Sequence, residues 1–205
     1  MPFETDKPRE QVSAPGPPDG PDGTSEMELV EAARRLSDEA WAEIYRRHAQ
    51  QVYAYIYYRL GDQHTAEDLA ADVFVKALAG ISGYVWRGTP LLAWLYRIAH
   101  NVTADHRKAA ARRAQRQSDE PAENLPERED RLGALDARRD MLGAIRALTE
   151  EQQQVIILRF YQGMSNAEVA KVMGKPEGAV KALQSRGLRS LRRVLEGQAT
   201  ERETA

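Results

Sequence analysis

The 205-residue chain has no cysteine, which excludes a disulfide framework, a thiolate zinc site and a thiol redox sensor. No segment approaches the ~18 consecutive apolar residues of a membrane span. The first residues lack the basic start and apolar stretch of a signal peptide, so a cytoplasmic protein with no membrane insertion is expected. A dominant sign of charge is missing as well. The 29 Lys and Arg nearly balance the 31 Asp and Glu, for a net charge of −2; the sum is silent about nucleic acid and the distribution must speak instead. Apolar residues are scarce in 1–25, which is rich in Pro, Gly, Asp and Ser and has too little to bury to offset the entropy of ordering. Residues 1–35 are accordingly expected to form a disordered N-terminal extension.

The charge that is present is segmented. Ten acids within residues 1–40 stand against four basic residues, while 94–117 and 175–193 each hold six basic residues against one acid (Asp105 and Glu177, respectively). Two positive islands in a neutral chain suit contact with nucleic acid from two places.

The second island ends the most clearly punctuated stretch, 148–193. Thr149 with Gln152, and Ser165 with Glu168, have the spacing of capping boxes and mark helix starts. Gly163 and Gly174 can take the left-handed conformation that follows a last helical turn, and Pro176 fits a first turn whose N–H has no intrahelical partner. Helices are predicted near 150–161, 166–173 and 176–194. Val169, Val172 and Met173 form one apolar seam; Val180, Leu183, Leu188, Leu191 and Leu195 form the next. Two amphipathic helices joined by a tight glycine turn are a helix-turn-helix. Lys181, Ala182, Ser185, Arg186 and Arg189 fall away from the seam, on the face that would meet DNA, with Lys175 in the turn before it. Gly187 in mid-helix costs ~1 kcal/mol relative to Ala and predicts a less rigid third helix.

Upstream, Ser37 is a plausible N-cap for a long helix with Trp41, Ile44, Tyr45, Val52, Tyr55 and Ile56 on one side, stopped by Gly61. Thr65 and Asp68 are expected to cap a second helix that buries Leu69, Val73, Ala77 and Leu78 and leaves Glu67, Asp72 and Lys76 outward. The loop 81–90 concentrates Tyr84, Trp86 and Arg87 in a segment expected to be exposed, where unpaired bases could stack at ~1–3 kcal/mol each. Thr89-Pro90 opens a third helix with Leu91, Leu92, Trp94, Leu95, Ile98 and Val102 inward; Arg97, His100, Asn101, Asp105, Arg107 and Lys108 remain for solvent or DNA. Residues 117–130 carry six acids, two prolines and no apolar periodicity, a linker composition. Residues 196–205 read as a polar tail.

TEEQQQVIILRFYQGMSNAEVAKVMGKPEGAVKALQSRGLRSLRRVL resembles the promoter-reading C-terminal domain, region four, of bacterial RNA polymerase sigma factors of the extracytoplasmic-function (ECF) group. AEDLAADVFVKAL (66–78) and TPLLAWLYRIAHNVTADHRK (89–108) resemble region two of the same proteins, upstream and in the right order. The resemblance implies an all-α chain of two small helical domains, 36–115 and 132–195, joined by a flexible acidic linker at 116–131. It implies a transcription initiation factor, not an enzyme, with no cofactor or metal. Glu67, Asp68, Asp72 and Lys76 would dock on the clamp coiled coil of the largest polymerase subunit, and a further contact would be made with the flap of the second subunit. Tyr84, Trp86, Arg87, Asn101, Asp105, Arg107 and Lys108 would melt and read the minus-ten element. Lys175, Lys181, Ala182, Ser185, Arg186 and Arg189 would read the duplex minus-thirty-five element. An anti-sigma protein would be a further partner.

Two other readings compete. An ordinary helix-turn-helix regulator would bind duplex DNA without core polymerase, leaving the Tyr84/Trp86/Arg87 loop and the first basic island without a role. A metal-dependent helical enzyme could use Glu67, Asp68 and Asp72, yet no histidine joins that cluster; His100 and His106, six apart in the basic helix, read as polar surface.

Overall fold

The computed structural model describes residues 25–85, 90–117 and 134–203. Residues 118–131 of the expected linker and most of the expected N-terminal extension lie outside them, as do Trp86 and Arg87; residues 116 and 117, expected in the linker, are the last of a helix that ends at Gln117. The described residues are helical, with eight α-helices and short 3-10 and π turns.

Helix α1 spans Glu26–Arg34, α2 Asp38–Leu60, α3 Gln63–Gly80 and α4 Leu91–Gln117, with a 3-10 turn at Ile81–Gly83. Helix α1 corrects the expectation of disorder up to residue 35. Ser25 and Glu28 form a capping box, with the Ser25 N–H donating to Glu28 at 3.0 Å and the Glu28 N–H to Ser25 Oγ at 3.3 Å. Leu29, Val30 and Ala33 are then buried against the domain. Ser37 caps α2 as expected, accepting from the Ala40 N–H at 3.2 Å, and Gly61 ends it at φ +77°. The cap of α3 differs: Asp62, not Thr65 with Asp68, accepts the Thr65 N–H at 2.7 Å. A carboxylate one residue after a glycine stop satisfies the first orphan donors of the next helix, so α3 starts at Gln63.

These four helices share a core of Val30, Ile44, Val52, Tyr55, Ile56, Ala66, Val73, Ala77, Leu91, Leu95 and Tyr96. Each large aliphatic side chain buried there contributes about 1.5–3 kcal/mol. Two residues expected inside are outside. Tyr45 is 56% exposed and Leu78 44% exposed, joined by Val75 at 65%. Helix α3 therefore carries an outward apolar strip between its charged residues.

Helices α5 (Ala134–Arg146), α6 (Glu150–Ile156, continued by a π turn over Ile157–Tyr161), α7 (Asn166–Met173) and α8 (Glu177–Glu203) make the second unit. Both predicted capping boxes are present: the Thr149 N–H donates to Gln152 at 3.4 Å and the Ser165 N–H to Glu168 at 2.7 Å. Gly163 and Gly174 take φ +69° and +63°. Val155, Ile156, Ile157, Leu158, Val169, Val172, Val180 and Leu183 fill the core. Leu188, expected on the seam of α8, is 41% exposed. Gly187 takes the inward place: a Cβ there would lie 3.1 Å from Ile156 Cγ1. The mid-helix glycine thus lets α6 and α8 approach closely and is no defect of the recognition helix. Helix α8 also runs on to Glu203, through the segment expected to be a polar tail.

Candidate nucleic-acid interface

Helix α8 emerges from a tight turn after α7 with its apolar side packed on α6, so its basic side is left to solvent. Lys181, Ala182, Ser185, Arg186 and Arg189 are all exposed. The two arginines are aligned along the helix by their own backbone, Arg186 Nε donating to the Ala182 carbonyl at 3.3 Å and Arg189 Nε to that of Ser185 at 3.5 Å. Lys181 pairs with Glu177 at 2.9 Å and Lys175 with Glu151 at 2.9 Å. Such exposed pairs hold by about a kcal/mol or less and can exchange a carboxylate for a phosphate. A shallow groove between α7 and α8 is lined by Asn166, Lys181, Gln184, Ser185, Leu188 and Arg189, which places Gln184 at the edge of this face.

The first basic island lies on α4, where Asn101, Asp105, Arg107 and Lys108 are exposed. Tyr84 is not, which corrects its expected place on an exposed loop. It is 5% exposed, its ring centroid 5.0 Å from that of Trp94. Burial pushes its hydroxyl pKa well above the usual tyrosine range, with the Glu26 carboxylate adding to the shift. Ile81, also buried, and Trp94 give the ring an apolar seat; a tyrosine so packed cannot stack on a base without leaving it.

The α4 face is also where the second unit rests. Arg97 Nε donates to the Val172 carbonyl at 3.1 Å, and its Nη2 to that of Lys171. These are last-turn carbonyls of α7, where the helix dipole favours a cation. Arg107 reaches Gln153 at 3.3 Å. Behind them Arg59, 1% exposed, donates to the Tyr55 hydroxyl at 3.1 Å and to Glu150 at 3.0 Å, and Arg146 donates to the Leu60 carbonyl at 3.4 Å. Tyr58 and Tyr161 meet across the same seam with centroids 3.9 Å apart. His100 sits in the resulting cleft with Arg97, Asn101, Gln154 and Met173. Burial, reinforced by nearby Arg59, lowers its pKa. Sequence reasoning missed Arg59, Arg146 and Gln153 because nothing in their spacing tells a side chain that joins two units from one that meets only solvent; Arg59 and Gln153 are buried and Arg146 is exposed.

On α3, Glu67, Asp68, Asp72 and Lys76 are all exposed, flanking Val75 and Leu78. Glu67 accepts from Gln63 at 2.9 Å. Among the described residues no group of three or more His, Cys, Asp or Glu is placed to hold a metal ion, and no helix is long and apolar enough to cross a membrane.

Two family models match the chain, Sigma-70 region 2 over residues 44–113 and Sigma-70 region 4 over 144–193. The ECF RNA polymerase sigma factor BldN of Streptomyces coelicolor is 41% identical over 181 residues, covering 87% of this chain and 69% of that protein. The chain belongs to the ECF RNA polymerase sigma factors. SigX of Bacillus subtilis, also an ECF sigma factor, is 30% identical over 78% of this chain and 85% of its own length. Among solved structures, the sigma factor RpoE in complex with the anti-sigma factor NepR from Bartonella quintana matches with a TM-score of 0.62 at 25% identity, covering 76% of this chain and 96% of that one. This sigma factor therefore directs RNA polymerase in transcription initiation. The regulator that acts without polymerase is not favoured.

Proposed function

We propose that this sigma factor divides promoter recognition between its two basic faces. The α8 face reads the duplex minus-thirty-five element with Lys175, Lys181, Ala182, Ser185, Arg186 and Arg189. The α4 face, with Asn101, Asp105, Arg107 and Lys108 and with Trp86 and Arg87 on the segment before it, holds the opened minus-ten element. The observation that carries this reading is the basic side of α8, turned wholly to solvent while its apolar side packs on α6. Tyr84 supports the minus-ten segment from below and does not contact bases. Core polymerase would be met by Glu67, Asp68, Asp72 and Lys76 around the Val75/Leu78 strip on the clamp coiled coil, and by the second unit on the flap. The bond rearrangements of transcription would belong to the polymerase, and the protein would work in the cytoplasm. RpoE of Bartonella quintana is held by an anti-sigma factor, and a partner of that kind is proposed here also.

Because Arg97 and Arg107 are committed to α7 and α6, engagement of the minus-ten element requires the two units to part. Besides the Tyr58–Tyr161 contact, the seam carries arginine bonds to carbonyls, to the Glu150 carboxylate and to the Gln153 amide oxygen, which water and nucleic-acid oxygens can replace. The deciding experiment uses Trp86→Ala combined with Arg87→Ala. Binding to core polymerase and closed-complex formation should stay near wild type while permanganate reactivity of promoter thymines disappears. Normal opening by the double variant would make that segment structural and refute its assignment.

A further inference from the structure

Arg59 is buried on the first unit, yet the anion it meets belongs to the second. Its guanidinium lies 5.5 Å from the centroid of the Tyr55 ring, with Nη1 donating to the Tyr55 hydroxyl at 3.1 Å and Nη2 to Glu150 at 3.0 Å. Arg59 Nε has no hydrogen-bond partner among the described residues, nor do His100 Nδ1 and the Tyr96 hydroxyl on the facing helix. Tyr55 and Arg59 are four apart on α2, as Tyr96 and His100 are on α4, so each pair shares one helix face. The two faces meet, with the Tyr55 and Tyr96 rings 5.2 Å apart.

The two sides of this ion pair differ in how they are held. Arg59 is seated on Tyr55, one turn back in its own helix, so that seat does not depend on the second unit. Glu150 is half-exposed at the first position of α6 and reaches Arg59 only because the units are docked. Parting them takes the carboxylate away and leaves the guanidinium where it was. A cation in so enclosed a place is costly without an anion, and its fork accepts a phosphate as readily as a carboxylate. His100 and Asn101 line the adjoining cleft with Arg97, on the α4 face proposed to hold the minus-ten strand. Glu67, Asp68 and Asp72, proposed to meet polymerase, stand instead on α3. The anion that this side of the opened first unit meets is therefore the nucleic-acid backbone.

We propose that Arg59, with Tyr55 and His100, forms a phosphate site of the minus-ten face, and that Glu150 occupies it as a stand-in for the phosphate while the two units are docked. Docking and strand capture then compete for one guanidinium, so the docked chain is poor at holding an opened strand and the parted chain has the site ready. This rests on the proposed minus-ten role of the α4 face.

The test uses the full chain with core RNA polymerase and a single-stranded oligonucleotide. Its sequence is the tighter-binding strand of the minus-ten element from a promoter selected with the wild-type holoenzyme out of a library randomised at both elements. Each phosphate is replaced in turn by a neutral methylphosphonate. With the wild-type holoenzyme one position should cost about tenfold in affinity, the worth of one charge-assisted bond. Arg59→Gln should bind the parent oligonucleotide about tenfold more weakly, should be indifferent to the methylphosphonate at that position, and should lower the slope of log affinity against log salt by about 0.7. Glu150→Gln should raise the affinity of the free chain for the oligonucleotide several-fold, a gain that the same methylphosphonate abolishes; in the holoenzyme it should match wild type. Arg59→Gln retaining every phosphate sensitivity of the wild type would overturn the proposal. So would a fall in core affinity with oligonucleotide binding unchanged, which would give the site to a polymerase carboxylate. If Arg59→Gln does not fold, Glu150→Gln decides: no gain in the free chain, or a gain indifferent to the methylphosphonate, refutes the stand-in. A wild-type holoenzyme that binds the minus-ten strand no better than a scrambled one would remove the reading beneath the proposal. Sequence preference without an Arg59-dependent phosphate would remove this site only.

Discussion

Replacing Gly187 by alanine sets two opposed effects against each other in the recognition helix. Alanine is better than glycine in a helix interior by about 1 kcal/mol, so an exposed site would gain stability. At Gly187 the new Cβ would lie 3.1 Å from Ile156 Cγ1 and 3.3 Å from Cδ1, with Gln152 Cβ at 3.5 Å. Ile156 is 2% exposed and packed from all sides, so it cannot swing away, and crowding a filled core costs about 1–3 kcal/mol. The balance is a loss of about 1 kcal/mol, or some 4–8 °C in the melting temperature of a unit this small. Thermal unfolding followed by circular dichroism measures it, and a double-mutant cycle attributes it. Ile156→Ala alone should cost about 2–5 kcal/mol. In that background Gly187→Ala should become neutral or stabilising by up to about 1 kcal/mol, because the crowding atoms are gone while the propensity gain remains. A Gly187→Ala single variant that melts several degrees above wild type would show that α6 and α8 are not held at this distance.

Other outcomes follow from the two basic faces, the α3 strip and the seam between the units. Arg186→Ala should weaken binding to the upstream element by about 1–3 kcal/mol and relax preference at one base pair, whereas Arg189→Ala should weaken all sequences alike; competition binding over single-base promoter variants separates the two. Asp72→Lys should reduce affinity for core polymerase through association rate without lowering the melting temperature, since Asp72 is exposed; an unchanged titration would move the docking face elsewhere. The cleft around His100 should loosen in mild acid. Its folded pKa is lowered, so the closed arrangement holds the neutral ring, and its contribution to stability is complete above the ordinary value of about 6.5 and lost as pH falls from there through the lower folded value. Arg59 opposes its protonation and Glu150 favours it, and Arg97 lines the same cleft. Energy transfer between dyes on α3 and α8 should therefore drop between pH 7 and 5, and His100→Gln should flatten that profile. His48, lowered by burial inside the first unit, affects unfolding in the same window, so the interdomain distance is the decisive reading.

The helix starts and stops of the second unit were legible because they are local. Ser165 with Glu168, Thr149 with Gln152, and the left-handed Gly163 and Gly174 act over four or five residues, and no distant contact overrides them. The same local signal was present at Ser25 and Glu28 and marks α1. The Pro-, Gly- and Asp-rich composition ahead of it masks that signal, because it reads as disorder. The outward face of α8 was legible for a related reason: a helix of known period with one apolar seam has its other side determined. What periodicity cannot supply is the width of the buried stripe. Leu78, Leu188 and Tyr45 stand at apolar positions yet reach solvent, because neighbouring helices cover only part of each seam. Tyr84 went the opposite way, since whether a loop aromatic turns outward depends on an apolar seat, here Trp94 and Ile81, that only the tertiary structure provides. The arginines differ most. Arg59, Arg97, Arg107 and Arg146 are alike in sequence, but partners about 50 to 90 residues away decide that they join the two units. A guanidinium finds its carbonyl through the packing of whole helices, and that is settled only when the chain has folded.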